Sequence, residues 1–368
     1  MARVYRAIGL MSGTSMDGVD VTAIESDGET VLRRGSGMLQ PYSDEIRASI
    51  GRAVEAASRL TDRRARPKPV AEAEAAVTRA HIDAVQAYLT AHELRAPDID
   101  VMGFHGQTLL HRPHEALTIQ IGDGAKLARG TGLDVVHDLR ASDMAHGGQG
   151  APLVPVYHRA LVRAAGLKLP VAVVNIGGVA NVTWIGADSE MLAFDTGPGN
   201  AMLDDWIAAR THRRMDENGA IARQGQVDAK ALQTLLSSPY FGIKPPKSLD
   251  RNDFSLSEIS ELSTEDGAAT LTAFTAHALA RSLAHMPERP AEWIICGGGA
   301  RNPALMAAVR SQVSAPVRVA DDLGWSGAFM EAEAFAFLAI RSLRGLPLTY
   351  PGTTGVAEPV TGGVLSTA

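Results

Sequence analysis

Cysteine is nearly missing: the 368 residues contain one, Cys296. That excludes an intrachain disulfide framework and a cysteine-rich zinc site, and it fits a reducing cytoplasm. Excess positive charge is missing too, with a formal net charge of -6 and a pI near 6.0, so no global field gathers nucleic acid or acidic membrane. The basic run Arg63-Arg64-Ala65-Arg66 sits in a polar, proline-containing stretch and reads as a solvated loop without function. Long apolar runs are absent: Val171 to Val174 has core-strand length, and the apolar residues after Arg3 and Arg6 are too few for a signal peptide. Neither a P-loop nor a strand–Gly-x-Gly-x-x-Gly–helix unit occurs, so a phosphate site here needs a different cradle. The expectation is a cytoplasmic protein with no membrane and no nucleic-acid partner.

What is present is an ordinary globular composition, 45% hydrophobic and 21% charged, in a chain longer than one core usually supports. Two lobes with a cleft between them follow. Val4 to Met11 and Val19 to Ile24 read as a strand pair around the polar turn Ser12 to Gly18. Helical patterns follow over Asp44 to Leu60 and Val70 to Leu94, and then a strand from Ile99 into His105-Gly106-Gln107-Thr108. The opening recurs further on: Val171 to Ile176, the turn Gly177-Gly178, and a returning strand Val179 to Ile185. Met191 to Phe194 is a strand, a helix begins near Ala201, and Trp293 to Ile295 leads through Gly297-Gly298-Gly299 into a helix capped by Asn302 before Pro303. Two halves that each open with a glycine-turned hairpin point to a duplicated α/β lobe. We place the first lobe at 1–137 and the second at 138–339; the fold that the motifs below resemble implies that 340–368 packs back on the first lobe.

Successive backbone N–H groups in a Gly/Ser turn can hold phosphate oxygens, and a turn without Cβ atoms admits a flat nucleoside. Three such turns together, Ser12 to Gly18, Gly177-Gly178 and Gly297 to Gly299, point to nucleotide binding more specifically than any one. Asp195 ends an apolar strand before Gly197-Pro198-Gly199, where a general base could sit. From its own neighbourhood the base has equal standing with a residue that accepts turn N–H groups or caps the Ala201 helix. His105 reads as a hydrogen-bonded structural residue, the loop Asp143 to Pro152 as a ligand contact, and Cys296 as a small buried residue.

The chain resembles the anhydro-N-acetylmuramic acid kinases of the actin, hexokinase and Hsp70-type (ribonuclease H-like) ATPase fold. The resemblance rests on Gly9 to Gly18, Gly103 to Thr108, Ile119 to Gly122, Asp143 to Pro155, Asn175 to Gly178, Phe194 to Asn200 and Cys296 to Asn302, in family order along nearly the whole chain. It implies a kinase that uses ATP, magnesium and water to open and phosphorylate an anhydro amino sugar in peptidoglycan recycling, with Asp195 as the catalytic aspartate. It implies ATP contacts at Ser12, Gly13, Thr14, Ser15, Met16, Asp17, Gly18 and Val19, and at Gly177, Gly178, Gly297, Gly298, Gly299 and Asn302. Implied substrate contacts are His105, Gln107, Asp143, Gln149, Asn200 and Glu331, with Glu333 competing with Glu331; magnesium ligands and a homodimer are left open. Two departures stand out: Leu139 where an aromatic is common, and Pro246-Lys247-Ser248-Leu249-Asp250-Arg251 in place of a Pro-Lys-Ser-Thr-Gly-Arg-like run. The alternatives are a conventional sugar kinase of the same fold and a non-catalytic nucleotide-binding protein, since the fold alone does not specify chemistry.

Overall fold

The computed structural model describes residues 3–13, 15–188, 190–249 and 253–368. Its contacts divide the chain into two compact units, Met1–Ala165 with Phe329–Ala368, and Gly166–Ala328. In the first unit, β1 (Tyr5–Ser12) and β2 (Gly18–Ser26) form the opening hairpin, and β3 (Val31–Arg34) and β4 (Met38–Pro41) both pair with β2. Helix α1 (Asp44–Ala57) starts where Ser43 accepts the Ile46 N–H and buries Ile50, Ala53 and Ala57; α2 (Lys68–Ala91) buries Val70, Val77, Ala84 and Tyr88. Both helices stop three residues short of the expected ends. Strand β5 (Val101–Arg112) is longer than the pattern suggested, and β6 (Leu117–Ile121), α3 (Gly124–Thr131), β7 (Val135–His137), α4 (Ala141–Ala145) and α5 (Pro155–Ala164) follow.

The second unit is a five-stranded sheet of β8 (Val171–Ile176), β9 (Val179–Ile185), β10 (Met191–Pro198), β11 (Glu292–Cys296) and β12 (Val317–Val319). Helices α6 (Ala201–Arg210), α7 (Ala229–Leu236), α8 (Thr264–Arg281) and α9 (Pro303–Gln312) accompany it. One apolar cluster lies around Val174, Phe194, Trp293 and Leu305, and a second joins Trp206, Leu232 and Phe274. The order β10-β9-β8-β11-β12 has an antiparallel meander on one side and parallel pairing through β11 on the other. In the first unit β3-β2-β1-β5-β7 repeats that connectivity and those directions. The duplication expected from two glycine-turned hairpins is therefore a duplicated topology, that of the actin/hexokinase/Hsp70-like fold.

After Ala328 the chain rejoins the first unit as α10 (Met330–Leu343), α11 (Pro351–Thr354) and β13 (Val364–Ser366), the last pairing with β7. The expected boundaries at 137/138 and 339/340 are thus displaced: 138–165 and 329–339 belong to the first unit. The reason for the second displacement is close packing of α10 on the first sheet. Gly9 of β1 and Gly103 of β5 are register partners, and they leave a notch into which the helix backbone fits. A Cβ at Gly9 would lie 1.8 Å from the Ala332 carbonyl oxygen, and one at Gly103 2.0 Å from that of Phe335.

Candidate active site

In the first unit the β1–β2 turn is held from the neighbouring strand. Ser12 donates to Gln107 Oε1 and hydrogen-bonds Tyr42 Oη at 2.8 Å, while Gln107 Nε2 donates to the Gly13 carbonyl at 3.0 Å. Met16 takes a positive φ of 53°, its N–H returning to Gly13 O at 3.2 Å, and Ser15 Oγ donates to Asp17 Oδ1 at 2.8 Å. Gln107 is 0% exposed, and its amide shapes the turn. Val19 is a core residue of β2, and Gly18 already pairs with β4, which confines the open turn to Gly13–Asp17. Thr14 lies outside the described residues.

His105 is buried in β5 against Phe335, with Gln120 Nε2 3.1 Å and Arg140 Nη2 3.0 Å from its Nε2. Burial, then the Arg140 charge, lowers its pKa to about 3, which keeps the ring neutral at working pH. Arg140 also donates to the Gly150 carbonyl at 2.7 Å. His105 lines a cavity of about 190 Å³ together with Arg63, Arg64, Arg66, Gln120 and His137. The basic run is therefore built in: Arg63 pairs with Asp138, and Arg66 with Glu74 at 2.9 Å. Asp143, expected at a ligand, is 2% exposed and fully engaged, accepting from Gly150 N–H at 2.6 Å and Thr354 Oγ1 at 2.6 Å. It ties its loop to α11. Gln149 is anchored alongside, its N–H on Thr354 O at 2.8 Å. Leu139, in place of the common aromatic, is a core residue.

The first turn of α10 separates the two glutamates. Glu331 lies within the fields of Arg140 and Asp20; burial raises its pKa and the arginine opposes the rise. Glu333 is 1% exposed and accepts from the Tyr157 hydroxyl at 2.7 Å, with burial pushing its pKa up to about 7. Because the folded value lies above the usual 4.5, Glu333 favours the fold below pH 4.5, and that contribution is lost as pH rises through 7. Glu333→Gln should accordingly raise the unfolding free energy at pH 8.5 by up to roughly 3 kcal/mol and change little at pH 4.5. Denaturant titrations at both pH values check this; equal effects at both would show that the carboxyl is not held protonated. Asp20, missed in the sequence, is raised to about 7 by burial and by the charges of Asp17 and Glu331.

In the second unit the turns converge at one end of the sheet. The Gly199, Asn200 and Ala201 N–H groups bond the Gly178, Gly177 and Gly178 carbonyls at 3.0, 2.7 and 3.2 Å, and Asn200 Nδ2 donates to Ile176 O at 3.2 Å. Gly297, at φ 80°, approaches the same strand end: a Cβ there would lie 2.1 Å from Asn175 Oδ1. Gly298 and Gly299 lie in the single 3₁₀ turn that follows. Asn302 Oδ1 accepts the Ala304 and Leu305 N–H groups at 3.0 and 3.2 Å, so it caps α9 as its position before Pro303 predicted. Cys296 is buried, its thiol donating to Val174 O at 3.3 Å.

Asp195 stands inside β10, facing Asn181 of β9, which faces Asn175 of β8, which faces Cys296 of β11. That single row connects the carboxylate to both glycine turns. Its Oδ2 accepts the Leu249 N–H at 2.8 Å, its N–H donates to Lys247 O at 3.1 Å, and its carbonyl accepts the Tyr240 hydroxyl at 2.6 Å. Asn200, and not Asp195, is the first residue of α6's cap, and it makes no side-chain cap bond. The capping alternative therefore falls, and among the described residues the one N–H that its carboxylate receives comes from a segment 54 residues away. Burial raises its pKa to about 6 against the pull of the Leu249 N–H and the Lys247 charge. Such a carboxylate is ionised at neutral pH yet basic enough to take a proton. Lys247 and Tyr240 were missed as members of this site, and Asp250 and Arg251 of the same run lie outside the described residues.

The sequence model of the anhydro-N-acetylmuramic acid kinase family matches residues 5–368. An anhydro-N-acetylmuramic acid kinase of Methylobacterium nodulans is 55% identical over 98% of this chain and 99% of its own length. Those of Methylorubrum extorquens (55%, over 98% of each chain) and Agrobacterium fabrum (50%, over 99% of each) are similar throughout. The chain belongs to the anhydro-N-acetylmuramic acid kinase family.

Proposed function

We propose that the chain converts 1,6-anhydro-N-acetylmuramic acid, ATP and water to N-acetylmuramic acid 6-phosphate and ADP, with Asp195 as the general base. Water attacks the anomeric carbon, the bond from that carbon to O6 breaks, and O6 with its electron pair attacks the γ-phosphorus as ADP leaves. Asp195 takes the proton from water. Opening the bridge creates the phosphate acceptor, so one carboxylate suffices. The observation that carries this reading is the state of Asp195: desolvated, oriented through Oδ2 by Leu249, and raised to about 6. Of the stretch Ser12 to Val19, the open turn at Gly13–Asp17 supplies backbone donors for phosphate, Gly177, Gly178 and Gly297 to Gly299 give the nucleotide close approach to backbone, and Asn302 holds the last turn in place. His105, Asn200, Gln149 and Glu331 are the sugar contacts, while Gln107 and Asp143 support their loops. Glu331 is preferred to Glu333 because it shares its surroundings with Arg140 and Asp20, next to the opening hairpin's carboxylates, whereas Glu333 faces Tyr157.

Magnesium suits the first unit in one respect. The charges of Asp17 and Glu331, added to burial, raise the proton affinity of Asp20, a state that a divalent cation relieves. Among the described residues no three such groups are set to coordinate a bare ion. Asp20 would therefore hold magnesium together with phosphate oxygens and water, and the ion would supply charge neutralisation. No helix among the described residues is long and apolar enough to cross a membrane, and the substrates are small molecules that diffuse to the protein.

The active form of Asp195 is the ionised one. Accordingly kcat/KM should fall tenfold per pH unit below about 6 and level above it. A pH–rate profile checks this, and a flat response down to pH 5 would remove Asp195 as the base.

A further inference from the structure

Lys247 is 7% exposed, deep for a lysine, and among the described residues it makes no ion pair with a carboxylate. Its ammonium donates to Tyr240 O at 3.0 Å and lies 4.4 Å from the centre of the Tyr240 ring. The same tyrosine donates its hydroxyl to the Asp195 carbonyl, the Lys247 carbonyl accepts the Asp195 N–H, and Leu249, two residues on, holds Oδ2. These four hydrogen bonds close a loop that fixes a buried cation beside a desolvated carboxylate.

A methionine would fill such an apolar niche at lower desolvation cost, so a retained ammonium calls for a charge that it serves. Among the described residues, the other polar groups near it are the Tyr240 hydroxyl, which feels Asp253, and His285, whose Nε2 bonds Phe241 O at 2.9 Å and lies 3.5 Å from Nζ. Neither supplies a negative charge to the ammonium at neutral pH. Asp195 does.

We propose that Lys247 is a positioning residue of the reaction: its buried charge keeps Asp195 ionised in a desolvated place, and the strap from Tyr240 to Leu249 fixes the direction of that carboxylate. This rests on the reading of Asp195 as the base. Lys247 itself moves no proton and touches no reacting atom.

The test is the pH dependence of kcat/KM, at saturating magnesium-ATP, for the full chain and for Lys247→Met and Lys247→Arg. Lys247→Met should move the acid limb upward by about one pH unit or more, as expected when an opposite charge within reach is removed. Its activity should recover above the displaced limb, KM should change less than about threefold, and Lys247→Arg should restore most of the shift. An unmoved limb, a loss uniform across pH, or a raised KM with the limb in place would overturn the proposal, the last by making Lys247 a substrate contact. An ADP-induced rise in melting temperature reports folding; if Lys247→Met does not fold, Lys247→Gln, which keeps a donor for Tyr240 O, carries the same expectation. An active Asp195→Asn enzyme would defeat the reading of the base. An inactive one combined with an unmoved limb in the Lys247 variants would defeat this inference alone.

Discussion

Asp195→Asn is expected to bind ADP as the unaltered protein does and to lose turnover by at least about 100-fold, the usual scale for a general base. Asparagine keeps an acceptor for the Leu249 N–H and nearly the same shape, so the strap around residue 195 should persist. Stability gives an independent sign. The folded pKa, about 6, lies above the usual 3.8, so the carboxyl favours the fold below pH 3.8 and that contribution is lost as pH rises through 6. At pH 8 the ionised group costs up to roughly 3 kcal/mol. The inactive variant should therefore be at least as stable as its parent at pH 8. Isothermal titration with ADP, single-turnover rates and thermal melts together separate a missing base from a damaged site; retained turnover would demote Asp195 to a structural residue.

Gly103→Val is expected to be strongly destabilising for the first unit. The helix α10 carbonyl of Phe335 occupies the space 2.0 Å from where the new Cβ would be placed, and Gly9 opposite leaves no slack, with Ala332 O at 1.8 Å from its own Cβ position. Backbone cannot rotate away as a side chain can. Overpacking of this kind costs about 3 kcal/mol or more, which for a unit of this size lowers the melting temperature by roughly 10 °C. The displaced helix carries Glu331, so activity should fall with stability. Differential scanning calorimetry checks the first effect; an unchanged melting temperature would mean that α10 does not seat in the Gly9–Gly103 notch.

The parts of the fold legible in the sequence were those encoded locally. Two hairpins around glycine turns, the α1 stripe ending at Ala57, and Asn302 before Pro303 as a helix start each depend on neighbours a few residues away. Helix α10 was misplaced because Phe329, its first flanking residue, makes no side-chain cap bond, so nothing in the sequence marks its start. Within the loop Asp143 to Pro152, the part played by the aspartate was not legible. The loop's glycines and polar residues resemble a ligand loop, yet Asp143 spends both oxygens on Gly150 and on Thr354, 211 residues away. Gln107 shows the same limit, since only the parallel pairing of β1 with β5 brings it to Ser12.

The site was legible where chemistry and position coincide in one residue and illegible where it depends on a distant partner. Asp195 could be singled out before its turn, but the choice between base and cap needed Leu249, Lys247 and Tyr240, which reach it from 45 to 54 residues along the chain. Asp20 could have been found from the spacing Asp17-Gly18-Val19-Asp20, which sets two carboxylates at the foot of one strand. Arg140 gave no local signal, because its role appears only beside His105.

The most direct test is to incubate the protein with magnesium-ATP and 1,6-anhydro-N-acetylmuramic acid in ¹⁸O-labelled water and weigh the product. The expected product gains phosphate plus one water, with the label on the anomeric carbon. A product that gains phosphate alone, or carries no label, would contradict that expectation and would identify a conventional kinase acting on a free hydroxyl.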